Sequence, residues 1–186
     1  MTSKKKLLAI INPISGTHQK FDMPKAVKEV LDASLYDINI CFTEYAGHAT
    51  LLAKEAVSSN VDCVLSIGGD GTCNEIAKVL VHSNTALGII PMGSGNGLAR
   101  HLDIPMDVMG ALKVINENNI ELYLRDDDTG EKVSRLIVRV KNKTGKEIIV
   151  GNMVCENHSW YASDGSKQYT VAANEEKNLV FYWRHS

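Results

Sequence analysis

The sequence lacks the features that mark several common classes of protein. Its 186 residues contain no apolar run near the roughly 18 residues needed to cross a bilayer, so we expect any membrane contact to be peripheral. No block of lysine and arginine is present, and a formal net charge of −2 gives no indication of nucleic-acid binding. The first apolar stretch, LLAII, is too short for a signal peptide and runs into Asn-Pro.

The cysteines lack the spacing of a metal site or a disulfide framework. The sequence has four of them, with no CxxC pair and no matching histidine pair: Cys41, Cys63, Cys73 and Cys155. We therefore expect reduced thiols in a cytoplasmic protein. Hydrophobic residues make up 44% of the chain, which is enough for the packed core of a globular domain.

Up to about residue 120, short β-branched runs alternate with helical patterns. Strands are predicted at 7–11, 36–43, 61–67 and 86–90, and helices near 22–34, 48–59, 72–82 and 107–118. Asp22 is predicted to cap the first helix, and Thr72 to accept a bond from the N–H groups that open the third. This alternation predicts an α/β fold, an open and mostly parallel sheet with helices on both faces.

Past residue 120 the pattern changes to strands alone. Strands predicted at 136–140, 147–154, 168–173 and 179–183 are separated by turn-type segments, which is typical of an antiparallel meander. The acidic run at 126–128 is interpreted as a solvated turn, because adjacent carboxylates on an extended chain cannot all face one metal ion. We therefore predict an α/β domain at 1–120, followed by a small β-rich region at 121–186, short or divergent for a second domain.

Glycine is concentrated in one part of the chain. Seven of the fourteen glycines fall within 68–97, most of them in two loops that each follow a predicted strand, GGDGT and PMGSGNG. Loops at the carboxyl ends of parallel strands line a common crevice, so these two are expected to face the same ligand. Glycine turns that run into helix N-termini suit phosphate. Neither loop is a Walker A or GxGxxG motif, and GSGNG by itself is weak evidence.

Four segments in order carry a resemblance to a known family: IINPISG (10–16), TEYAGHA (43–49), SIGGDGTCNEI (66–76) and GIIPMGSGNGLAR (88–100). Together they closely resemble the catalytic N-terminal domain of the diacylglycerol kinase and sphingosine kinase family, including its bacterial lipid kinases. The resemblance covers about residues 5–118. It implies a nucleotide-binding domain of the NAD kinase and phosphofructokinase type, the use of ATP and Mg²⁺, and a second β-rich domain that helps form the lipid cleft.

The resemblance also implies roles for individual residues. Asp70 would be catalytic, because its carboxylate could orient Mg²⁺ or accept a proton from the attacking hydroxyl. No metal ligands are assigned. No role is carried over to Gly97, where many family members have an acidic residue. The residues implied to bind the nucleotide are Asn12, Ser15, Gly16, Thr43, His48, Gly68, Gly69, Gly71, Thr72, Gly93, Ser94, Gly95 and Asn96.

Plainer interpretations stay open beside these roles. Asp70 could simply cap a turn, Asn12 could end a strand before a proline, and His48 could be a surface residue at a helix start. Arg100 could reach phosphate or face water, and Glu75 could orient the site or only favour the positive end of its helix.

Three functions follow from these patterns. The favoured one is an ATP- and Mg²⁺-dependent kinase that phosphorylates a lipid hydroxyl, on a diacylglycerol-like lipid or a sphingoid base. The second function is an NAD kinase or a phosphofructokinase-type sugar kinase, because GGDGT is shared with those enzymes. The third is a non-catalytic nucleotide-binding module, because nothing after Glu121 resembles the family's second-domain GxGxDA signature. The expected partners are ATP and a lipid acceptor at a membrane surface, and not nucleic acid.

Overall fold

The computed structural model contains a nine-stranded sheet, a separate two-stranded ladder and helices on both faces of the parallel strands. It describes residues 3–16, 22–81, 83–101, 104–117, 120–128, 133–142, 145–151, 153–155, 158–162 and 168–184. The strands are β1 (Lys5–Ile11), β2 (Tyr36–Phe42), β3 (Cys63–Gly68), β4 (Ala86–Pro91), β5 (Ile120–Asp128), β6 (Val133–Asn142), β7 (Ile148–Gly151), β8 (Met153–Cys155), β9 (His158–Ala162), β10 (Gln168–Val171) and β11 (Glu176–Arg184). The helices are α1 (Met23–Val30), α2 (His48–Ser58), α3 (Asp70–Leu80), α4 (Gly97–His101) and α5 (Val108–Glu117).

The first four strands form the parallel part of the sheet, in the order β2-β1-β3-β4. A helix follows each of them, as expected for parallel crossovers. The predicted α/β fold with a parallel sheet is therefore confirmed, and its four strand positions agree with the structure to within two residues at each end. The chain runs outward from β1 to β2 and then returns to place β3 on the other side of β1. The strand order therefore reverses between β1 and β3.

Side chains of β1 explain why helices cover both faces. Leu7, Ala9 and Ile11 point to one face and are buried with apolar residues of α1 and α5. Ile10 points to the opposite face and is buried with apolar residues of α2 and α3. This period of two is the strand pattern, and burial on both faces gives the nearly continuous apolar run LLAII.

The later strands extend the same sheet by antiparallel pairing. β5 pairs with β4 at Leu122 and Leu87, and the sheet continues in the order β5-β6-β11-β9-β8. Val171 of β10 and Leu179 of β11 are fully buried in the same core cluster as α2 and α3. The C-terminal strands therefore share a core with the parallel part. The division into domains at residue 120 stays a prediction.

Three expectations for the C-terminal region are wrong in detail. The acidic run is not a turn, because Asp126 to Asp128 lie in β5 and pair with residues 134–136 of β6. The strands do not form one meander, because β7 and β10 pair with each other in a second sheet. The predicted strand at 147–154 is two strands, β7 and β8, and β5 and β9 were not predicted.

Candidate functional site

The loops that follow the four parallel strands lie at one edge of the sheet. Backbone hydrogen bonds between neighbouring segments continue just past the strand ends. Thr43 N–H donates to the Ile11 oxygen at 2.8 Å, and Asn12 N–H donates to the Ile67 oxygen at 2.9 Å. On the other side of β3, Met92 N–H donates to the Gly68 oxygen at 2.8 Å. This carboxyl edge, at the reversal of strand order between β1 and β3, is where open α/β sheets bind their ligands.

The loop after β1 is fastened to the start of α3 across that reversal. Asn12 Nδ2 donates to Thr72 Oγ1 at 3.0 Å, while Asn12 Oδ1 accepts from Ile14 N–H at 3.1 Å. The prediction that Thr72 caps α3 is wrong, because the helix begins two residues earlier, at Asp70, and Thr72 is buried inside its first turn. A Cβ on Gly68 would lie 2.7 Å from Thr72 Oγ1, so glycine there makes room for this contact.

The two glycine loops pack directly on each other. A Cβ on Gly93 would lie 2.8 Å from the Cα of Gly69, and a Cβ on Gly95 would lie 2.6 Å from Asp70 Oδ2. Asn96 adopts a left-handed backbone with φ of 50°, and its buried side chain bonds both the N–H and the oxygen of Gly93. Glycine at 93 and 95 is therefore required by the contact between the loops.

Asp70 is the residue that joins the two loops. Its Oδ2 accepts from Asn96 N–H and its Oδ1 from Gly97 N–H, both at 2.8 Å, at the start of α4. Arg100 Nε donates to the Gly95 oxygen at 2.8 Å and closes the same loop from the other side. The carboxylate is half-buried. Asp70 therefore has a capping role, which was one of the two interpretations of it, but it bonds the start of α4, at separations of 26 and 27 residues along the chain.

Acidic side chains occupy the N-termini of the helices around α3. The carboxylates of Asp22, Asp70 and Asp107 accept backbone N–H bonds at the starts of α1, α4 and α5 respectively, and the cap of α1 was predicted. At α2, the N-cap residue Gly47 donates its N–H to Glu75 Oε1 at 3.1 Å. By contrast, α3 has Gly69 at its N-cap and no side-chain cap.

No side chain caps the first-turn N–H groups of α3, and the acidic residue of that turn, Asp70, bonds the start of α4 instead, so these N–H groups are available to a ligand. Gly71, in that first turn, is exposed, and a Cβ there would meet nothing within 4 Å. At positions 68, 93 and 95 an added Cβ would collide with neighbouring atoms, whereas nothing in the described structure requires a glycine at 71. An 11-residue helix without a side-chain cap, with an unobstructed glycine as its second residue, can accept an anion such as phosphate.

The loop after β2 places an aromatic pair beside this helix. The rings of Tyr45 and His48 stack with centroids 4.6 Å apart and planes 5° from parallel. His48 Nδ1 accepts from Glu44 N–H at 3.1 Å. Thr43 is half-buried at the start of the loop, and Gly47 has a left-handed φ of 88°. His48 was selected from the motif, whereas Tyr45 was missed, because its stacking is visible only in three dimensions.

The remaining selected residues lie at the same edge. Gly16 has a left-handed φ of 93°, and a Cβ there would lie 3.1 Å from the Met92 oxygen, so the first loop reaches the end of β4. Ser15 is half-buried and donates its N–H to the Asn12 oxygen at 3.2 Å, while Ser94 is exposed. All the residues chosen from the four motifs thus lie at one sheet edge, in its loops, in the helical turns that follow them or, for Gly68, at the end of β3. Whether they bind a nucleotide stays a prediction.

The described ranges hold neither a membrane helix nor a clustered metal site. No helix in them has the length and apolar character to cross a bilayer. No three histidine, cysteine, aspartate or glutamate side chains within the same ranges lie close enough together to hold a metal ion.

Comparison with known proteins gives one consistent family. Residues 6–123 match the family model of the diacylglycerol kinase catalytic domain. Diacylglycerol kinases of two Staphylococcus aureus strains, bovine RF122 / ET3-1 and MRSA252, are each 40% identical over 119 residues, which cover 62% of this chain. The crystal structure of a diacylglycerol kinase from Bacillus anthracis str. Sterne superposes with a TM-score of 0.54 at 30% identity over 66% of this chain.

The family model covers the parallel part of the sheet, and each relative is matched over only a part of its length. The chain spans 38% of the length of the Staphylococcus relatives and 42% of the Bacillus chain. The family model ends at residue 123, inside β5, so the match contains all four motif segments and the loops of the carboxyl edge. By its sequence over 6–123 and by its fold, this chain belongs to the diacylglycerol kinase catalytic domain family.

Proposed function

We propose that the chain binds ATP at the carboxyl edge of β1 to β4 and transfers its γ-phosphoryl group to a lipid hydroxyl. The acceptor would be a diacylglycerol-like lipid or a sphingoid base. The observation that carries the proposal is the uncapped N-terminus of α3, which opens into the glycine loops at the reversal of strand order. The names of the family and of the relatives, diacylglycerol kinases, support the choice of a lipid acceptor.

The phosphate groups would bind at the first turn of α3. Its N–H groups and the positive end of the helix attract negative charge, and the free space around Gly71 allows close approach of the backbone. Asn12 and Thr72 hold the loop after β1 against this turn, so the donors are arranged before the ligand arrives. Such fixed donors are the main protein contribution to phosphoryl transfer, which depends on positioning and charge stabilisation.

Asp70 would face both the nucleotide and the acceptor. Each of its oxygens accepts one backbone N–H bond, which leaves a lone pair on each for a second partner. A hydroxyl that approaches the γ-phosphate could give its proton to this carboxylate. The bonds to Asn96 and Gly97 would hold the carboxylate in one orientation while it does so.

The donor set fits magnesium only as an ion that accompanies the nucleotide. Mg²⁺ in kinase sites is bound by one or two carboxylates together with substrate phosphates and water, and Asp70 would supply a carboxylate beside the proposed phosphate site. No cluster of three acidic, histidine or cysteine side chains exists in the described ranges to hold the ion by protein alone. When bound, Mg²⁺ would neutralise the charge that develops on the phosphates.

A nucleotide-binding module without kinase activity is the second candidate. It is motivated by residues 121–186, which contain nothing like the family's second-domain GxGxDA signature. In two-domain kinases, much of the rate comes from holding the acceptor in line with the phosphate, on the order of 7–11 kcal/mol in well-oriented systems. A chain that holds the nucleotide and not the acceptor would bind ATP and turn it over slowly.

A phosphoryl-transfer assay separates the two candidates. The full chain is incubated with Mg²⁺ and labelled ATP, and with diacylglycerol or sphingoid-base micelles, NAD⁺ or a sugar phosphate as the acceptor. Label in the lipid, absent with Asp70→Asn, is the result expected for a lipid kinase. ATP binding by calorimetry without transfer to any acceptor would support the module, and label in NAD⁺ or the sugar phosphate would overturn the choice of a lipid.

A further inference from the structure

An exposed aromatic side chain lies at the carboxyl edge with one face already stacked. Tyr45 is 57% exposed, although one side of its ring lies against the His48 imidazole at a centroid distance of 4.6 Å. The planes are 5° from parallel, and the 57% exposure of Tyr45 leaves room for a third flat group to stack parallel to the pair on the other face of its ring. Exposure of a single aromatic residue is ordinary, so the significance of Tyr45 depends on the fixed stacked geometry and on its place beside α3.

The pair is held in place by backbone contacts on both sides. His48 Nδ1 accepts the Glu44 N–H at 3.1 Å, which fixes the plane of the imidazole that supports Tyr45. Gly47, with its left-handed φ of 88°, donates its N–H to Glu75 Oε1 at 3.1 Å. The aromatic surface is therefore prearranged, which lowers the entropy lost when a ligand binds to it.

The position of the pair relative to the phosphate site follows from that second contact. Glu75 lies on α3 four residues after Gly71, which is about 6 Å along the helix axis. The loop that carries Tyr45 thus contacts α3 one turn beyond the proposed phosphate site, on the side of β2. A ligand with phosphates at the start of α3 and a flat ring at its other end can contact both places.

We infer that Tyr45, backed by His48, is the stacking surface for the purine base of the nucleotide. This inference rests on the proposed function, since it needs the phosphates at α3. Base recognition by stacking needs only a flat π-face on each partner, and purines offer the larger one. Tyr45 is a binding residue in this account, and His48 and Glu75 are positioning residues that keep it in place.

The test compares ATP with inorganic triphosphate, which has the phosphates and no base. Dissociation constants for both are measured by calorimetry on the full chain and on Tyr45→Ala, Tyr45→Phe and Leu51→Ala. Leu51 is 47% exposed on α2 and is the control for loss of an exposed apolar side chain nearby. Tyr45→Ala should weaken ATP binding by about fivefold or more, the lower end of the range for one stacked base, and leave triphosphate binding unchanged.

The phenylalanine variant should retain the affinity for ATP, because it keeps the ring, and Leu51→Ala should bind both ligands normally. Equal ATP affinity in Tyr45→Ala and the unmodified chain would overturn the stacking inference alone. An equal loss for ATP and triphosphate would also overturn it, because the tyrosine would then act on the phosphates or on the fold. Failure of the unmodified chain to bind either ligand would overturn the proposed function as well.

Discussion

Strands β1 to β4 run parallel and bring their following loops to one edge, whereas the strands from β5 onward pair antiparallel. In antiparallel neighbours the chain reverses at alternate edges, so consecutive loops are not gathered together. The parallel part therefore holds the candidate site, and the antiparallel part extends the sheet and adds Val171 and Leu179 to the core. The comparison teaches that the site follows from topology, while the stability of the fold depends on both parts.

One consequence concerns how the two parts can be tested. Removal of everything after residue 119 would strip β5 from β4 and expose the core cluster that Val171 and Leu179 cover. Loss of activity in such a truncated chain would then report unfolding as readily as the loss of an acceptor site. Point variants of the full chain keep these two effects apart.

The largest expected effect tests whether the antiparallel part belongs to the core. Leu179→Ala should lower the free energy of unfolding by about 2–5 kcal/mol, because it leaves a cavity where a fully buried side chain was. Ile149→Ala is the control, since Ile149 on β7 is 48% exposed. Denaturant unfolding gives the free energy of unfolding of both variants. Similar small losses in the two variants would show that the C-terminal strands fold independently of the core beneath α2 and α3.

The second prediction tests whether chemistry is confined to the parallel part. Asp70→Asn should lower phosphoryl transfer by at least about a hundredfold, because an amide cannot take up the proton of the acceptor. It should also loosen the contact between the loops, since only one amide oxygen is left to accept the N–H groups of Asn96 and Gly97.

Asp107→Asn is the matched control, because that carboxylate also accepts an N–H bond at a helix start, from Gly110 at 2.7 Å. Its turnover, measured beside that of Asp70→Asn with labelled ATP, should stay close to that of the unmodified chain, because Asp107 lies outside the proposed site and a surface substitution of this kind changes the free energy of unfolding by only about 0.5 kcal/mol. Equal losses in both variants would mean that helix capping explains the effect and that Asp70 has no chemical role.

The alternation of strands and helices was predictable because burial on both faces of a parallel sheet leaves apolar runs that are visible in the sequence, as in β1 and β3. The strands of the antiparallel part were harder to predict from the sequence. β5 reads IELYLRDDD, and its three aspartates suggested a turn, whereas pairing with β6 holds them in a strand. Tertiary pairing overrode the local preference there. The five-residue α4 is too short to give a periodic pattern.

The residues of the site were predictable as a set, and their contacts were not. GGDGT and GSGNG indicated a phosphate site, but Asp70 bonds a loop 26 residues away, and Asn12 bonds Thr72 across 60 residues. Neither distance leaves a local trace in the sequence. The start of α3 was misplaced by two residues, and this turned Thr72 from a buried partner of Asn12 into a supposed cap. The exposure of Tyr45 likewise needs the fold.

The third prediction separates glycines that bind from glycines that pack. Gly71→Ala should weaken ATP binding by about tenfold, or about 1.4 kcal/mol, because the methyl group would lie where phosphate approaches. Stability should stay the same or rise by up to about 1 kcal/mol, since alanine is favoured over glycine in a helix. Calorimetry and thermal unfolding give the two values. Unchanged ATP affinity would contradict a phosphate site at the first turn of α3.

Gly95→Ala is the comparison for that variant, because its Cβ would lie 2.6 Å from Asp70 Oδ2 and something must shift. It should lower the unfolding temperature, which Gly71→Ala should not. Substitution of Gly69 or Gly95 would not separate an effect on phosphate binding from an effect on loop packing, since both residues lie against the neighbouring loop.

The prediction with the smallest expected effect tests whether the core of the parallel part affects stability alone and not ATP binding. Ser66 of β3 is buried, and its Oγ has no hydrogen-bond partner among the described residues. Ser66→Ala removes this unsatisfied group, so the free energy of unfolding should stay the same or rise by up to about 1 kcal/mol. ATP affinity should not change. A clear loss of stability in denaturant unfolding would show that the hydroxyl has a partner after all.

The central claim, a nucleotide site made by the parallel loops, is tested most directly by amide NMR shifts during titration of the full chain with ATP and Mg²⁺. The account predicts that the largest shifts fall on Gly69 to Thr72, Gly93 to Asn96 and the loop at Tyr45, with smaller changes in β7 and β10. Largest shifts in the antiparallel strands, or none at saturating ATP, would contradict it.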